Sequence, residues 1–281
     1  EMADRGFPLT HQDLQTEVNS ILRARLGAAF LGVGKRWTGR FIEKYHDRLK
    51  MFWSSSLEEK RGRAVNPNTN KRYFELLGDN IRVTVAPIDP ELIYGCNEVG
   101  FMLSRGSKRL VIGARNRSIQ HQQEDRGREN TTVIVTICAD GTATKPTVIF
   151  KGSAFNLNWN QENPAQASFA HSEKGWTDGE IGVAWIQDFH EQTKRKAQER
   201  TRLLLVDGHN SHYTQGFLRF AREHRIHVFC YPAHGTHVYQ GLDVVIFAPL
   251  KQYWTQEKDA YYRRTRKRIT KSNFLLIYGT A

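Results

Sequence analysis

The sequence predicts an α/β protein: a mixed sheet flanked by helices, preceded by a small all-α module. Three observations carry that expectation. Over the first 80 residues or so, apolar side chains recur at three- and four-residue steps, the period of an amphipathic helix. Beyond residue 90 the pattern changes to short Val- and Ile-rich segments bounded by Gly, Asp or Pro, which read as strands. The later strands alternate with helical patterns, as in βαβ units.

In chain order, Leu14, Val18, Ile21 and Leu22 line one face of a helix over 10–26, with Thr10 placed to cap it after Pro8. In KRWTGRFIEKYHDRL a second helix puts Trp37, Phe41 and Tyr45 on one face and Arg36, Arg40 and Lys44 on another. A third, from Pro67 to Leu77, carries Tyr73, Phe74, Leu76 and Leu77. Three short helices with a basic second or third member suit a helix-turn-helix module that lays one helix in the major groove. An ordinary helical subdomain with a solvated basic face fits the same pattern. The expected division is 1–80 for this module and 90–281 for the sheet domain.

The strand candidates are KRLVIGA, TTVIVTICA, KPTVIFKG, LLLVDG and HVFCYP, and Asp140-Gly141 between the second and third predicts a hairpin. Helical patterns at 183–197 and 215–223 complete the domain, the second joining two strands as a crossover would.

Composition narrows the function classes. With 281 residues, 39% of them hydrophobic and 25% charged, the chain can bury a sizeable core. A net charge of +12 and a pI near 9.7 predict attraction to a polyanion. No long apolar run argues for a membrane, so nucleic acid is the expected partner. Cys96, Cys138 and Cys230 are widely spaced and suggest neither a disulfide framework nor a cysteine zinc site, which fits a reducing compartment. The polar opening EMADRGFPLT does not read as a secretory signal.

The chemistry concentrates between Leu203 and Lys251. The apolar run Leu203 to Val206 delivers Asp207 to a strand's carboxyl end, where α/β sheets collect ligands, although Asp-Gly is also a common turn. Asp243 opens the apolar stretch VVIFAPL, either as a carboxylate ligand or as a helix cap. Two such carboxylates are the means of holding a divalent cation for phosphoryl transfer. His209 and His212, then His234 and His237, form two HxxH pairs; a four-histidine zinc site is one reading of them and packing another. RRTRKR at 263–268, with Arg263, Arg264 and Arg266, suits a DNA backbone, a nuclear import signal or a solubilising face.

LLLVDGHNSH followed by PAHGTHVYQGLDVVIFAPLK resembles the catalytic core of pogo/Tigger-type DDE transposases, the group that includes relatives of centromere protein B. Further segments fall in family order, among them SKRLVIGA, RENTTVIVTICADGTATKPTVIFKG and HSEKGWTDGEIGVAWIQDFHEQT. GFPLT and VGKRWTGRFIEKYHDRLK resemble the second half of the DNA-binding region that precedes that core, so a tandem region is expected only in part. The resemblance implies an RNase H-like fold, three catalytic acids holding Mg²⁺ or Mn²⁺, double-stranded DNA as partner and a nuclear location. It names no membrane, and leaves a homodimer open. It makes Asp207 and Asp243 two of the acids and metal ligands, and gives His209, His212, His234 and His237 the task of orienting them. DNA contact is assigned to Lys35, Arg36, Arg40 and Lys44, with Arg263, Arg264 and Arg266 near the metal.

The first acid is the departure. Where the family reads NxDETGF, this chain reads YGCNEVGFML, with Asn97 at the acid's position. An amide keeps a carbonyl oxygen but brings no charge to clustered cations. Glu98 follows directly, and strand alternation should turn it to the opposite face. Gly241 replaces the family's Pro in YQGLD and is expected to loosen the loop bearing Asp243. The expected function is therefore DNA binding by a transposon-derived protein impaired in cleavage; the alternative is an active metal-dependent transposase that tolerates Asn97.

Overall fold

The computed structural model describes residues 9–52, 61, 64–82, 87–104 and 129–281. The chain divides into two compact units, Glu1–Arg63 and Ala64–Ala281. In the first, α1 (His11–Leu26) starts on a capping box: the Thr10 hydroxyl accepts from the Asp13 amide, and the Asp13 carboxylate accepts from the Thr10 amide. α2 (Trp37–Lys44) stops at Tyr45, shorter than the aromatic spacing predicts. The aromatic face still forms, with ring centroids of Trp37 and Phe41 4.9 Å apart and those of Phe41 and Tyr45 4.8 Å apart.

The second unit begins with α3 (Pro67–Ile81), capped by Asn66, whose side chain accepts from the Asn68 and Thr69 amides. The expected boundary at residue 80 is too late, because the predicted face of this helix packs into the sheet domain. Tyr73 is 6% exposed, and its ring lies 5.7 Å from Phe229 and 4.9 Å from Tyr239. An amphipathic helix shows that it has a buried face, not which domain covers it.

Among the described residues six strands form one mixed sheet: β1 (Ile93–Met102), β2 (Asn130–Cys138), β3 (Thr147–Lys151), β4 (Ser168–Ser172), β5 (Arg202–Val206) and β6 (Ile226–Cys230), in spatial order β4-β3-β2-β1-β5-β6. β1 and β2 run antiparallel, as do β2 and β3. β5 pairs parallel with both β1 and β6. The Asp140-Gly141 turn joins β2 to β3 with Gly141 at φ +88°, in the left-handed region a tight turn needs. The expected strand KRLVIGA, at 108–114, lies outside the described residues.

Helices cover both faces. Tyr94, Cys96, Ile134, Leu204 and Val206 pack under α4 (Gly179–Ala197) and α5 (Gln215–Glu223), where Trp185, Phe189 and Phe217 bury their rings. α4 starts four residues earlier than the 183–197 pattern because the Asp178 carboxylate caps it, accepting from the Glu180 and Ile181 amides. On the other face Val99, Phe101, Val133 and Phe150 meet α7 (Phe247–Thr265) and α8 (Lys271–Tyr278), with Phe274 fully buried at the centre. The short helix α6 (Thr236–Tyr239) and a π-helical turn, Leu242–Ile246, lead into α7. Among the described residues no helix is long and apolar enough to cross a membrane.

Candidate active site

β1 carries alternate residues to alternate faces, and its register fixes which. Glu98 lies opposite Ile134, which belongs to the core under α4 and α5. Asn97 lies opposite Val135, which packs with the core under α7 and α8, the cluster that also holds Leu242. Asn97 thus shares a face with the segment carrying Asp243, and Glu98 faces the other way, as alternation predicts.

β5 ends one residue before Asp207. β1 and β5 are paired as far as Gly95 and Leu205, so Asn97 and Asp207 stand at the same level on neighbouring strands, two residues beyond. Asp207 is fixed by the turn that follows it: its Oδ1 accepts the His209 amide at 3.1 Å, and the Tyr213 hydroxyl donates to its carbonyl at 3.3 Å. That turn leans on α4 at Gly182, where a β-carbon would come within 2.5 Å of the Ser211 carbonyl oxygen. Only glycine allows so close a backbone approach.

His212 is buried and holds Nε2 3.6 Å from Asp207 Oδ1, an electrostatic contact too long for a hydrogen bond. Burial pushes its pKa down to about 4, against the pull of the Asp207 carboxylate, so the ring is neutral. His209 is exposed and shares a hydrogen bond of 2.9 Å with the Ser211 hydroxyl. His209 thus meets Asp207 through its backbone N–H, and His212 through its ring. His234 sits at a left-handed φ of +59°, and His237 keeps Nδ1 buried without a partner.

The neighbour of Asp207 that alternation did not reveal is Glu98. Its carboxyl is held above the usual range by burial first, with the Asp207 charge adding to the rise and the Thr177 hydroxyl and His209 opposing it. The Cys96 thiol is raised well above its ordinary value by burial, then by Asp207 and Glu98.

Asn97 is 8% exposed, and its Oδ1 accepts the Glu98 backbone N–H at 2.8 Å. Asp243 is the second residue of the π-helical turn, and its charge helps raise the pKa of Tyr231, which burial and Tyr73 raise chiefly. Two anchors hold its segment to the core: Gln240 donates to the Cys96 carbonyl at 3.0 Å, and Leu242 is 2% exposed. Gly241 between them adopts φ −56°, ψ −29°, a conformation open to any residue, so its expected loosening is countered on both sides.

Among the described residues no group of three or more His, Cys, Asp and Glu side chains is arranged to hold a metal ion. Two clustered cations need more negative charge than these residues converge, with an amide beside Asp207 whose oxygen already has a partner. As they stand they do not fit a two-ion centre.

The basic residues fall in both units. Lys35, Arg36 and Arg40 line an open groove with His11, Gln12 and Gln15, and the Thr38 hydroxyl there bonds His11 Nδ1 at 2.8 Å. These cations and Lys44 are exposed. Arg263, Arg264 and Arg266 are exposed where α7 ends at Thr265, with Arg266 at φ +58°. Trp185 packs in the core, whereas Trp176 is 52% exposed.

A protein named MFS-type transporter clz9, from Cochliobolus lunatus, is 34% identical over 193 residues, which are 68% of this chain and 21% of that protein. The chain thus spans about a fifth of that relative's length. Solved structures with the same fold include the Mos1 mariner paired-end complex with Mn (TM-score 0.51, 11% identity, 96% of this chain and 78% of that one). Another is the Mos1 transposase paired-end complex with left transposon end (TM-score 0.50, 10% identity, the same coverage). Residues 128–279, more than half of the chain, match the DDE superfamily endonuclease family, and those residues supply five of the six strands, Asp207 and Asp243. The chain belongs to the DDE superfamily endonucleases.

Proposed function

We propose that this protein binds double-stranded DNA in the nucleus as a pogo-like transposase derivative and cuts it poorly. The observation that carries the reading is Asn97: an amide at the level of Asp207, its Oδ1 spent on the Glu98 amide. Strand cleavage by this family's chemistry deprotonates a water or a 3′-hydroxyl and stabilises a leaving oxygen, each beside a divalent cation such as Mg²⁺ or Mn²⁺. Asp207 and Asp243 would supply two anionic ligands for such cations, and the third position would supply none. Removing one charge from such a cluster lowers affinity for the second ion most, because that ion is bound against the repulsion of the first.

Binding does not depend on the metal. The net charge of +12, the exposed Lys35, Arg36, Arg40 and Lys44, and Arg263 to Arg268 favour the DNA backbone. The Mos1 complexes hold a transposon end, which is the kind of ligand assigned to this chain.

The test uses duplexes selected by the protein from a random pool and incubated with Mg²⁺ or Mn²⁺. The parent chain is expected to bind without nicking, and Asn97→Asp to nick. Efficient cutting by the parent, lost in Asp207→Ala, would overturn the reading.

A further inference from the structure

Trp176 leaves its ring in solvent on a closely pinned turn. The residue is 52% exposed, whereas Gly175 before it and Thr177 after it are both buried. The Ser172 hydroxyl donates to the Trp176 carbonyl at 2.8 Å and accepts the Trp176 N–H at 3.0 Å. Thr132 Oγ1 donates to the Gly175 carbonyl at 2.7 Å. Gly175 adopts φ +73°, and a β-carbon there would come within 3.0 Å of Lys151 Cβ, so glycine is what lets the turn lie against β3. The backbone of the tryptophan is therefore fixed while its ring is offered outward.

The turn stands at the acid end of the sheet. Thr132, which holds it, pairs with Gly100, three residues beyond Asn97 on β1. Asp178, two residues after Trp176, caps α4, and the first turn of that helix rests on the segment following Asp207. A β-carbon at Gly182 would come within 2.5 Å of the Ser211 carbonyl oxygen, and one at Gly179 within 3.0 Å of Thr214 Cγ2. Around the ring the exposed Lys151 and Lys174 are offset by the exposed Glu173 and Glu180, so charge gives this spot little pull of its own.

We propose that Trp176 stacks on a nucleobase that has left the duplex beside the stretch of DNA backbone facing Asp207. In an intact duplex both faces of a base are covered by its neighbours, so a lone ring gains contact only where a base is unpaired or extruded. Stacking is tolerant of sequence because every base has a π-face, and a tryptophan on a fixed turn loses little freedom in making it. The inference rests on the DNA-binding reading above and is independent of whether the chain cleaves.

Fluorescence anisotropy tests it with a selected duplex and with copies of that duplex in which one mismatched pair is moved step by step along its length. The parent is expected to bind one of the mismatched copies about tenfold more tightly than the matched duplex, the scale of a base stacked on an aromatic side chain. Trp176→Ala should abolish that preference with the salt dependence and the melting temperature unchanged, and Trp176→Phe should keep most of it. A 2-aminopurine at the preferred position should be quenched by the parent and not by Trp176→Ala. The proposal is overturned if the parent binds every copy alike, or if Trp176→Ala retains the preference. It is also overturned if sedimentation shows that Trp176→Ala separates a dimer into monomers, since the ring would then be covered by a second copy of the chain. Binding to all duplexes without preference sinks this inference and leaves DNA binding standing, whereas binding to none sinks both.

Discussion

The Oδ1 of Asn97 accepts the backbone N–H of its own neighbour, Glu98, at 2.8 Å. An aspartate could make the same bond, so the two residues differ here in charge rather than in local geometry. The position is 8% exposed and adjoins a carboxyl, Glu98, whose ionisation burial already opposes. Asn97→Asp should therefore destabilise the chain in EDTA by about 1–3 kcal/mol, the usual cost of a buried charge without a partner. Added Mg²⁺ should restore most of the loss, since the cation binds only the folded state. Thermal melts of both proteins in EDTA and in Mg²⁺ measure this. Equal stability in EDTA would show that a neighbouring cation already neutralises the site.

How much of this was legible in the sequence depends on the range of the interaction that decides each feature. β2, β3, β5 and β6 and the hairpin at Gly141 follow from local pattern, because β-branched runs and Asp-Gly turns act over a few residues. β4, Ser168–Ser172, has all five residues half-buried and no apolar alternation, so it has no local signal; its pairing with β3 creates it. The assignment of α3 to the sheet unit is likewise decided by Phe229 and Tyr239, far away in sequence. At the site, alternation placed Glu98 on the correct face and still missed its neighbour. Period-two reasoning stops where the strand stops, and Asp207 lies one residue past the end of β5.

A pH response should come from the opposite end of β5. Arg202 is 2% exposed and donates to Thr193 Oγ1 at 2.8 Å, to the His224 carbonyl at 2.7 Å and to His190 Nδ1 at 3.0 Å. Accepting that bond requires His190 to be neutral. Its pKa is lowered by burial first, then by the charges of Arg202 and His224, while Glu191 opposes. A histidine whose folded pKa lies below its unfolded value gives stability that is present above about 6.5 and lost as the pH falls through that value, where the unfolded chain takes up the proton first. His190→Gln keeps an acceptor for Arg202 and cannot titrate. Urea midpoints between pH 7.5 and 5.5 should fall less in the variant than in the parent. Parallel curves would mean that His190 does not carry the response.

Gly241→Pro should stabilise the loop that carries Asp243. The glycine has φ −56°, within the range a pyrrolidine ring imposes, and the preceding Gln240 is extended at ψ 100°, as a residue before proline prefers. A β-carbon at Gly241 would meet nothing within 4 Å. Proline then acts mainly on the unfolded chain by removing conformations it would otherwise explore, for a gain of about 0.4–1 kcal/mol. A chemical-denaturation comparison decides it. A loss of stability would mean that the Gly241 N–H has a partner that the ring removes.

DNA binding should divide between the two basic surfaces by specificity rather than by charge. Arg36 caps α2 at its start and Arg40 lies within it, and the other face of that helix carries the Trp37, Phe41 and Tyr45 ring contacts, so their geometry is set by packing. Arg263 and Arg264 lie in the last turn of α7, next to an exposed Arg266 in a left-handed conformation, and offer charge more than a fixed register. Replacing either pair by alanine should flatten the dependence of log K on log salt by about one for each phosphate left without its arginine. Only the Arg36 and Arg40 pair should also narrow the gap between a selected duplex and a scrambled one, because specificity needs a side chain held against base edges or a defined backbone register. Fluorescence anisotropy on both duplexes at several salt concentrations separates the two effects. Equal loss of discrimination from both pairs would reduce the helical module to a generic cationic surface, and would remove the reason to assign α2 to the groove.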